Sequence, residues 1–258
     1  MAVCDLYKKT NYLDKDIEGI FGELITEYDI ESAGYNIIKH FKFCDEEVIE
    51  RIERLPKKMR HIYIGNLMRE DDSLRDKMKK GFKACRKKLF EENEIVATDI
   101  ISIKKDAIFI RNRELQYTEF DNIRFRKKNE YNSYLYMNKI EFYLTDDRID
   151  CKGIKDEFAE YHQEYMFDIF REFSSFMRNN NRKKALEFIK NVAHLYRTKQ
   201  LATGYYRELN TSSMYRLKEP LTLFGNQLGL IDCDNCVDKL ETWYNYVNYL
   251  VPLFRMVI

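Results

Sequence analysis

Two carboxylates, Asp29 and Asp106, stand where the chain is expected to pass from strand to turn. In residues 24–41, LITEYDIESAGYNIIKHF, the run Leu24, Ile25, Tyr28 and Ile30 predicts a strand that delivers Asp29 to its end. Ser32, Ala33 and Gly34 then turn the backbone, and Tyr35, Ile37, Ile38 and Phe41 begin a helical period. In residues 94–110, EIVATDIISIKKDAIFI, an apolar strand (Ile100–Ile103) meets a polar turn (Lys104, Lys105, Asp106) and a second strand (Ala107–Ile110). A strand holds a carboxylate rigidly while the turn beside it stays open, which suits a metal ion. One acidic strand tip plus one acidic hairpin tip is the donor set of a two-metal nucleotidyl-transfer site. Glu27, Asp29 and Glu31 alternate, so all three can share one face of the strand. Three like charges on one face repel unless a metal or basic side chains compensate them. Asp99 is a less favoured third acid.

Asp29-Ile-Glu-Ser-Ala-Gly-Tyr-Asn-Ile-Ile38 resembles motif A of palm-fold nucleic-acid polymerases, above all the D-x-x-S-L-Y-P-S-I pattern of family B. Ile103-Lys-Lys-Asp106-Ala-Ile-Phe-Ile110 is similar to that family's D-T-D-S-I-F motif C hairpin, with Asp106 at the second Asp and Lys104 in place of the first. Asp150-Cys-Lys-Gly-Ile154 resembles the Lys-Gly element that closes a palm before its thumb. The resemblance covers about the first 155 residues. It implies an α+β fold: a polymerase-like palm with an antiparallel sheet and short helical fingers over 1–155, then an all-helical thumb-like domain over 156–258. It also implies that Asp29 and Asp106 hold two Mg²⁺ (or Mn²⁺) ions, with the Ile30 carbonyl as a further ligand, and that Ser32, Gly34 and Tyr35 lie beside the nucleotide. The expected partners are a primer-template and nucleoside triphosphates. In such polymerases a bulky side chain five residues after the motif A Asp collides with a ribose 2′-hydroxyl. Counting from Asp29 gives Gly34. A one-residue shift in the turn, which Gly34 eases, makes Tyr35 the gate, and the shift is the favoured reading.

Between the two motifs, Asp71-Asp72-Ser73 caps a helix expected to run to about Glu92. From Arg75 to Lys88 it carries eight positive charges against one acid, Asp76. Its apolar stripe (Leu74, Met78, Phe82, Cys85, Leu89) docks one face and presents the bases on the others. Palm polymerases carry a fingers helix at this place in the chain, so Lys79, Lys83 and Arg86 are assigned to the triphosphate, although the K-x-x-x-N-S-x-Y-G signature is absent. Upstream, Asp45–Arg60 reads as a helix stopped at Pro56, and His61–Leu67 as a short extended run turning at Gly65-Asn66. After Ile110, strands are expected at 115–120, 122–127, 133–137 and 139–144. Their interleaved bases and aromatics can track a phosphate backbone. Lys104, Lys105, Arg124, Arg126 and Lys152 are the candidate nucleic-acid contacts.

The 258 residues suffice for one large or two small domains, and only 9 Gly and 3 Pro argue for long regular elements. A net charge of +1 leaves any nucleic-acid partner to local patches. No apolar run is long enough for a membrane span and the N-terminus has no apolar signal core, so a cytoplasmic protein with no exonuclease domain before motif A is expected. The six cysteines form no framework; the one close pair, Cys233 and Cys236, lacks further zinc ligands and reads as loop, and the four histidines are scattered. From Lys155 the texture becomes helical, with a first helix ending near Arg178, a second over Ala185–Tyr196, short helices and loops over 202–236 punctuated by Pro220, Gly225 and Gly229, and a last helix from Leu240. Two other functions fit the same residues: a non-catalytic nucleic-acid-binding or assembly protein on a polymerase-like core, which Lys104 favours, and a metal-dependent nuclease. A compact chain of this kind suggests a bacteriophage or mobile element.

Overall fold

The strand that ends at Asp29 and the hairpin that turns at Asp106 are neighbours in one antiparallel sheet. A computed structural model describes residues 3–154, 159–160, 162–209 and 243–258. The elements are α1 (Val3–Leu6), β1 (Asn11–Leu13), β2 (Gly19–Ile30), α2 (Ala33–Phe41), α3 (Glu46–Arg54), α4 (Lys57–Glu70), α5 (Asp72–Glu92), β3 (Ile100–Lys104), β4 (Ala107–Arg111), β5 (Glu119–Phe120), β6 (Ile123–Met137), β7 (Ile140–Leu144) and β8 (Ile149–Lys152). Then come α6 (Met166–Arg178), α7 (Arg182–Arg197) and a helical run over 243–257, α8, with a π-helical stretch at Tyr246–Leu250. Mixed helices and an antiparallel sheet make the fold class α+β. Among the described residues, no helix is long and apolar enough to cross a membrane.

The chain forms two compact units, one of residues 1–14 and 24–130, the other of 15–23 and 131–258, so β2 and β6 each contribute to both. In the first unit the strand order is β1-β3-β4-β2-β6. β4 lies between β2 and β3 and runs antiparallel to each, so β2, the helices α2–α5 and the β3–β4 hairpin form a split β-α-β arrangement. Its core joins Ile30, Ile103 and Ile108 of the strands to Ile37, Ile38, Ile52, Ile64, Met78 and Leu89 of the helices. α2 and α5 approach closely at Gly81, where an added Cβ would come within 2.6 Å of Ile37 Cγ2.

Local expectations differ from the structure at three places in this unit. His61–Leu67 is not extended: it lies inside α4, which starts after Pro56 and buries Ile64 against the core. Gly65 costs that helix about 1 kcal/mol, which packing through Ile64, Leu67 and Met68 offsets. The strands expected at 122–127 and 133–137 are one strand, β6, because no Gly or Pro interrupts Lys128–Asn132. The strand expected at 115–120 shrinks to Glu119–Phe120, since the Asn93 side chain holds 116–117: its Oδ1 accepts from the amides of Gln116 and Tyr117 at 2.9 and 3.0 Å.

The second unit joins strands to the helical region expected from 156: the described elements after 155 are all helical, and they share a unit with β6, β7 and β8. β6, β7 and β8 pair in order, and all five residues of β7 are buried. Phe142 of β7 meets Phe167 and Phe170 of α6 and Tyr249 of α8 edge-on, so sheet and helices share one core. The change of texture at 155 therefore marks the end of the strands, while the compact units divide at 130 and 131. The short helices and loops expected over 202–236, from 210 on, and Cys233 and Cys236 lie outside the described residues.

Candidate nucleotide site

Asp29 is the cross-strand partner of Ala107, and the amide of Ile30 donates to the Asp106 carbonyl at 3.3 Å, so the two acids sit side by side. The chain reaches this arrangement by two tight turns. After β2, Ser32 takes a left-handed conformation (φ 45°, ψ 43°), and Asn36 Nδ2 donates to the Glu31 carbonyl at 2.6 Å, tying the turn to the first turn of α2. Lys104 pairs directly with Ala107, leaving a two-residue loop whose first member, Lys105, has φ 51°. Asp106 is its second member. Burial raises the pKa of the Asp106 carboxyl, and the Asp29 charge raises it further against the opposing influence of its own amide.

The acids of β2 meet a matching row of bases on β6. Arg126 forks Asp29, with Nε donating to Oδ1 at 2.7 Å and Nη2 to Oδ2 at 3.2 Å. Lys128 and Asn129 hold Glu27, which is 1% exposed, at 3.0 and 2.7 Å. Glu31 donates its amide to the Arg124 carbonyl at 2.9 Å. The pairs 27–128, 29–126 and 31–124 climb one strand as they descend the other, as antiparallel neighbours must. Burial works against the charge on Lys128, but the hydrogen bond it donates to Glu27 and the charges of Glu27 and Asp29 outweigh it and raise its pKa. Asp99 plays a different part: it accepts from the Val96 amide and pairs with Arg113, both at 3.1 Å.

Beside Asp106 opens a cleft of about 510 Å³. Ala33 and Gly34 of the post-Asp29 turn form one wall, Lys105 and Asp106 of the hairpin another. Ile64, Met68, Met78 and Phe82 give it an apolar floor, and Arg69, Arg75 and Lys79 of α4 and α5 stand around it. Arg75 donates to the Met68 carbonyl at 2.9 Å and pairs with Asp72; Lys79 pairs with Asp76 at 2.9 Å. These ion pairs are exposed, and such helical pairs are worth about 0.3–0.5 kcal/mol, so a phosphate can replace the carboxylates at little cost.

Arg86 also borders the cleft, but its guanidinium has another task. It is 1% exposed and donates to three carbonyls, those of Tyr7 (3.3 Å), Lys9 (2.5 Å) and Lys105. Burial pulls its pKa down to about 10, while the nearby Asp106 charge works the other way. Arg86 thus fixes the hairpin that carries Asp106 and is not a solvent-facing phosphate ligand. Tyr35 is likewise placed away from the role first given to it. It is 7% exposed, its hydroxyl accepts from Lys39 at 3.0 Å and its ring lies under Arg60, while Gly34 takes the cleft wall.

The other candidates fall as follows. Lys83 is half-buried on α5, and neither it nor exposed Lys80 has an ion pair among the described residues. Lys104 ends β3 opposite Ala107, and the Lys105 amide donates to the Thr10 carbonyl at 3.0 Å. Arg124 reaches Glu119 only at 3.9 Å. Lys152 belongs to the second unit, on β8 opposite Glu141. The α4 wall was missed in the sequence because His61–Leu67 reads as extended. The fork on Asp29 did leave a signal: alternating acids at 27, 29 and 31 and alternating bases at 124, 126 and 128.

A divalent cation suits two adjacent carboxylates, since Mg²⁺ is commonly held by one or two carboxylates with phosphate and water completing its shell. Among the described residues no group of three or more His, Cys, Asp or Glu forms a metal-ligand cluster. The fit is therefore to an ion shared with a bound phosphate, not to an all-protein cage. A second cleft, of about 660 Å³ in the second unit, is bordered by Arg171 and Arg178, which are already paired with Asp168 and Asp146.

The fold and site define an α+β protein with an acid pair on a split β-α-β sheet beside a basic-walled cleft. Residues 1–257 match the family of the bacteriophage PBS1 gene 130 protein, and the chain belongs to that bacteriophage family. No curated protein matches it.

Proposed function

We propose that the first unit is a polymerase-like palm that carries out template-directed nucleotidyl transfer, as a nucleic-acid polymerase or primase-like enzyme. The observation that carries this reading is the adjacency of Asp29 and Asp106 on paired strands, produced by the order β3-β4-β2, with Asp106 lining the cleft. The apolar floor of Ile64, Met68, Met78 and Phe82 offers a surface for a base. Arg69, Arg75 and Lys79 supply positive charge for a triphosphate. Arg86 keeps the hairpin, and with it Asp106, in place. Asp29 and Asp106, with the Ile30 carbonyl, would hold Mg²⁺ or Mn²⁺, which when bound neutralises charge on the reacting phosphates. Lys80 and Lys83 extend the basic surface along α5 toward a nucleic-acid backbone.

A second reading has one specific observation in its favour. Arg126 and Lys128 already neutralise the β2 acids, and Lys104 replaces an acid of the motif C pattern, which fits a nucleotide- or nucleic-acid-binding protein that does not turn over. Primer extension with Mg²⁺ and with Mn²⁺ separates the two. Catalysis predicts incorporation by wild type and its loss in Asp29→Asn and Asp106→Asn. Tight triphosphate binding without incorporation would select the second reading, and cleavage of the strand without nucleotide would point to a nuclease.

A further inference from the structure

Asp29 is 15% exposed in its side chain and is fixed on β2, whereas its partner Arg126 is 43% exposed and stands on the open face of β6. One member of the pair can leave for solvent and the other cannot. The neighbouring pair behaves differently: Glu27 is 1% exposed and is held by both Lys128 and Asn129, so it has no freedom to replace Asp29 as a ligand. Glu31 is half-buried one alternate position further along the strand. Asp106, the acid beside Asp29, lies in the hairpin turn and faces Lys105 and the buried Arg86 as well. The Lys128 charge also acts on Asp29, but Lys128 is held by Glu27; the base hydrogen-bonded to Asp29 is Arg126, on a long stem, and its guanidinium covers both Asp29 oxygens.

We infer that Arg126 is a resident stand-in for a cation, competing with divalent metal for Asp29 and setting how tightly, and when, the acid pair takes the ion. This rests on the proposed role of Asp29 and Asp106 as a metal site. When Arg126 swings out, both Asp29 oxygens become available and Arg126 is free to meet a phosphate of the nucleotide or nucleic acid. Metal uptake and phosphate binding then favour each other, because each removes the cost of breaking the fork for the other. A half-exposed forked pair is weak enough to exchange and strong enough to compete.

The test is Mn²⁺ titration of the full chain, read by the loss of the free-ion electron paramagnetic resonance signal, with no turnover required. Wild type, Arg126→Gln, Arg126→Lys and Asp29→Asn are compared, with folding checked by circular dichroism. Arg126→Gln should bind Mn²⁺ roughly three- to tenfold more tightly than wild type. Arg126→Lys, which keeps the charge but loses the fork, should fall between them, and Asp29→Asn should bind most weakly. If the two Arg126 variants bind as wild type does while Asp29→Asn loses the ion, the stand-in role is wrong and the metal site survives. If no form binds Mn²⁺, the stand-in role and the metal site fall together.

Discussion

α5 and β6 look alike in sequence, each dense in Lys and Arg, yet they spend their charge in opposite ways. On β6 the bases alternate with period two, so the sheet sets them opposite acids of β2. Arg126 forks Asp29, Lys128 reaches Glu27, and Lys127 holds Glu114 and Glu130. On α5 the bases fan around a cylinder whose apolar stripe is docked; apart from the buried Arg86 and from Lys88, which reaches Asp121, their partners among the described residues are local ones or none. Strand register converts a basic stretch into internal neutralisation, while a helix leaves it available to a ligand. Charge density in a sequence therefore says little about nucleic-acid binding until the element and its neighbour are known.

The largest effect is expected at the acids. Asp29→Asn and Asp106→Asn should each lower primer extension by at least roughly a hundredfold while the protein stays folded, as circular dichroism would report. Loss of folding in both would recast β2 and β6 as a structural charge zipper with no site in it.

Arg86→Leu comes next. It strips three carbonyls of their donor in a buried place, at a cost of about 3 kcal/mol. Urea unfolding should show this, and a near-neutral result would mean that the carbonyls find water.

The contrast between α5 and β6 can be broken directly. Removing Lys80 and Lys83 together should weaken single-stranded DNA or RNA binding and lower the salt slope by roughly 1.4. Arg124→Ala with Lys127→Ala should leave the slope nearly unchanged. Fluorescence anisotropy over a salt series reads both, and equal losses would erase the distinction.

A smaller effect concerns pH. The folded state raises the Asp106 pKa through burial and the Asp29 charge, so the protonated form is favoured on folding. Such an acid destabilises the fold as pH rises from its unfolded pKa through its folded one, and the penalty is fully present above that. Asp106→Asn should therefore stabilise the protein at pH 7, and the gain should vanish in acid. A destabilised variant at pH 7 would mean that Asp106 is held by stronger contacts than its surroundings suggest.

The smallest effect is at Tyr35. Its hydroxyl and ring are occupied by Lys39 and Arg60, so Tyr35→Ala should leave the choice between ribo- and deoxyribonucleoside triphosphates as in wild type, while Gly34 leaves room for a 2′-hydroxyl. A sharp rise in ribonucleotide use by Tyr35→Ala would reinstate it as the gate.

Much of the first unit was legible. The apolar runs around Asp29 and Asp106 and the stripe of α5 carry periods of two and 3.6 that depend on no distant partner. What escaped was set by distant contacts. α4 is helical because Ile64 finds a core, Arg86 faces inward because three carbonyls need it, and Arg126 is tied down by a strand about a hundred residues earlier. The compact units likewise divide at 130 and 131 while the local texture changes near 155, because the helices after 155 fill their core with β7.

The most direct test is a crystal of the full chain soaked with Mn²⁺ and a nonhydrolysable nucleoside triphosphate, read by anomalous scattering. An Mn²⁺ peak about 2.1–2.3 Å from carboxylate oxygens of both Asp29 and Asp106, with phosphates toward Arg75 and Lys79 and the Arg126 fork opened, is the predicted result. Nucleotide bound elsewhere, or Mn²⁺ absent with Arg126 still closed on Asp29, would contradict it.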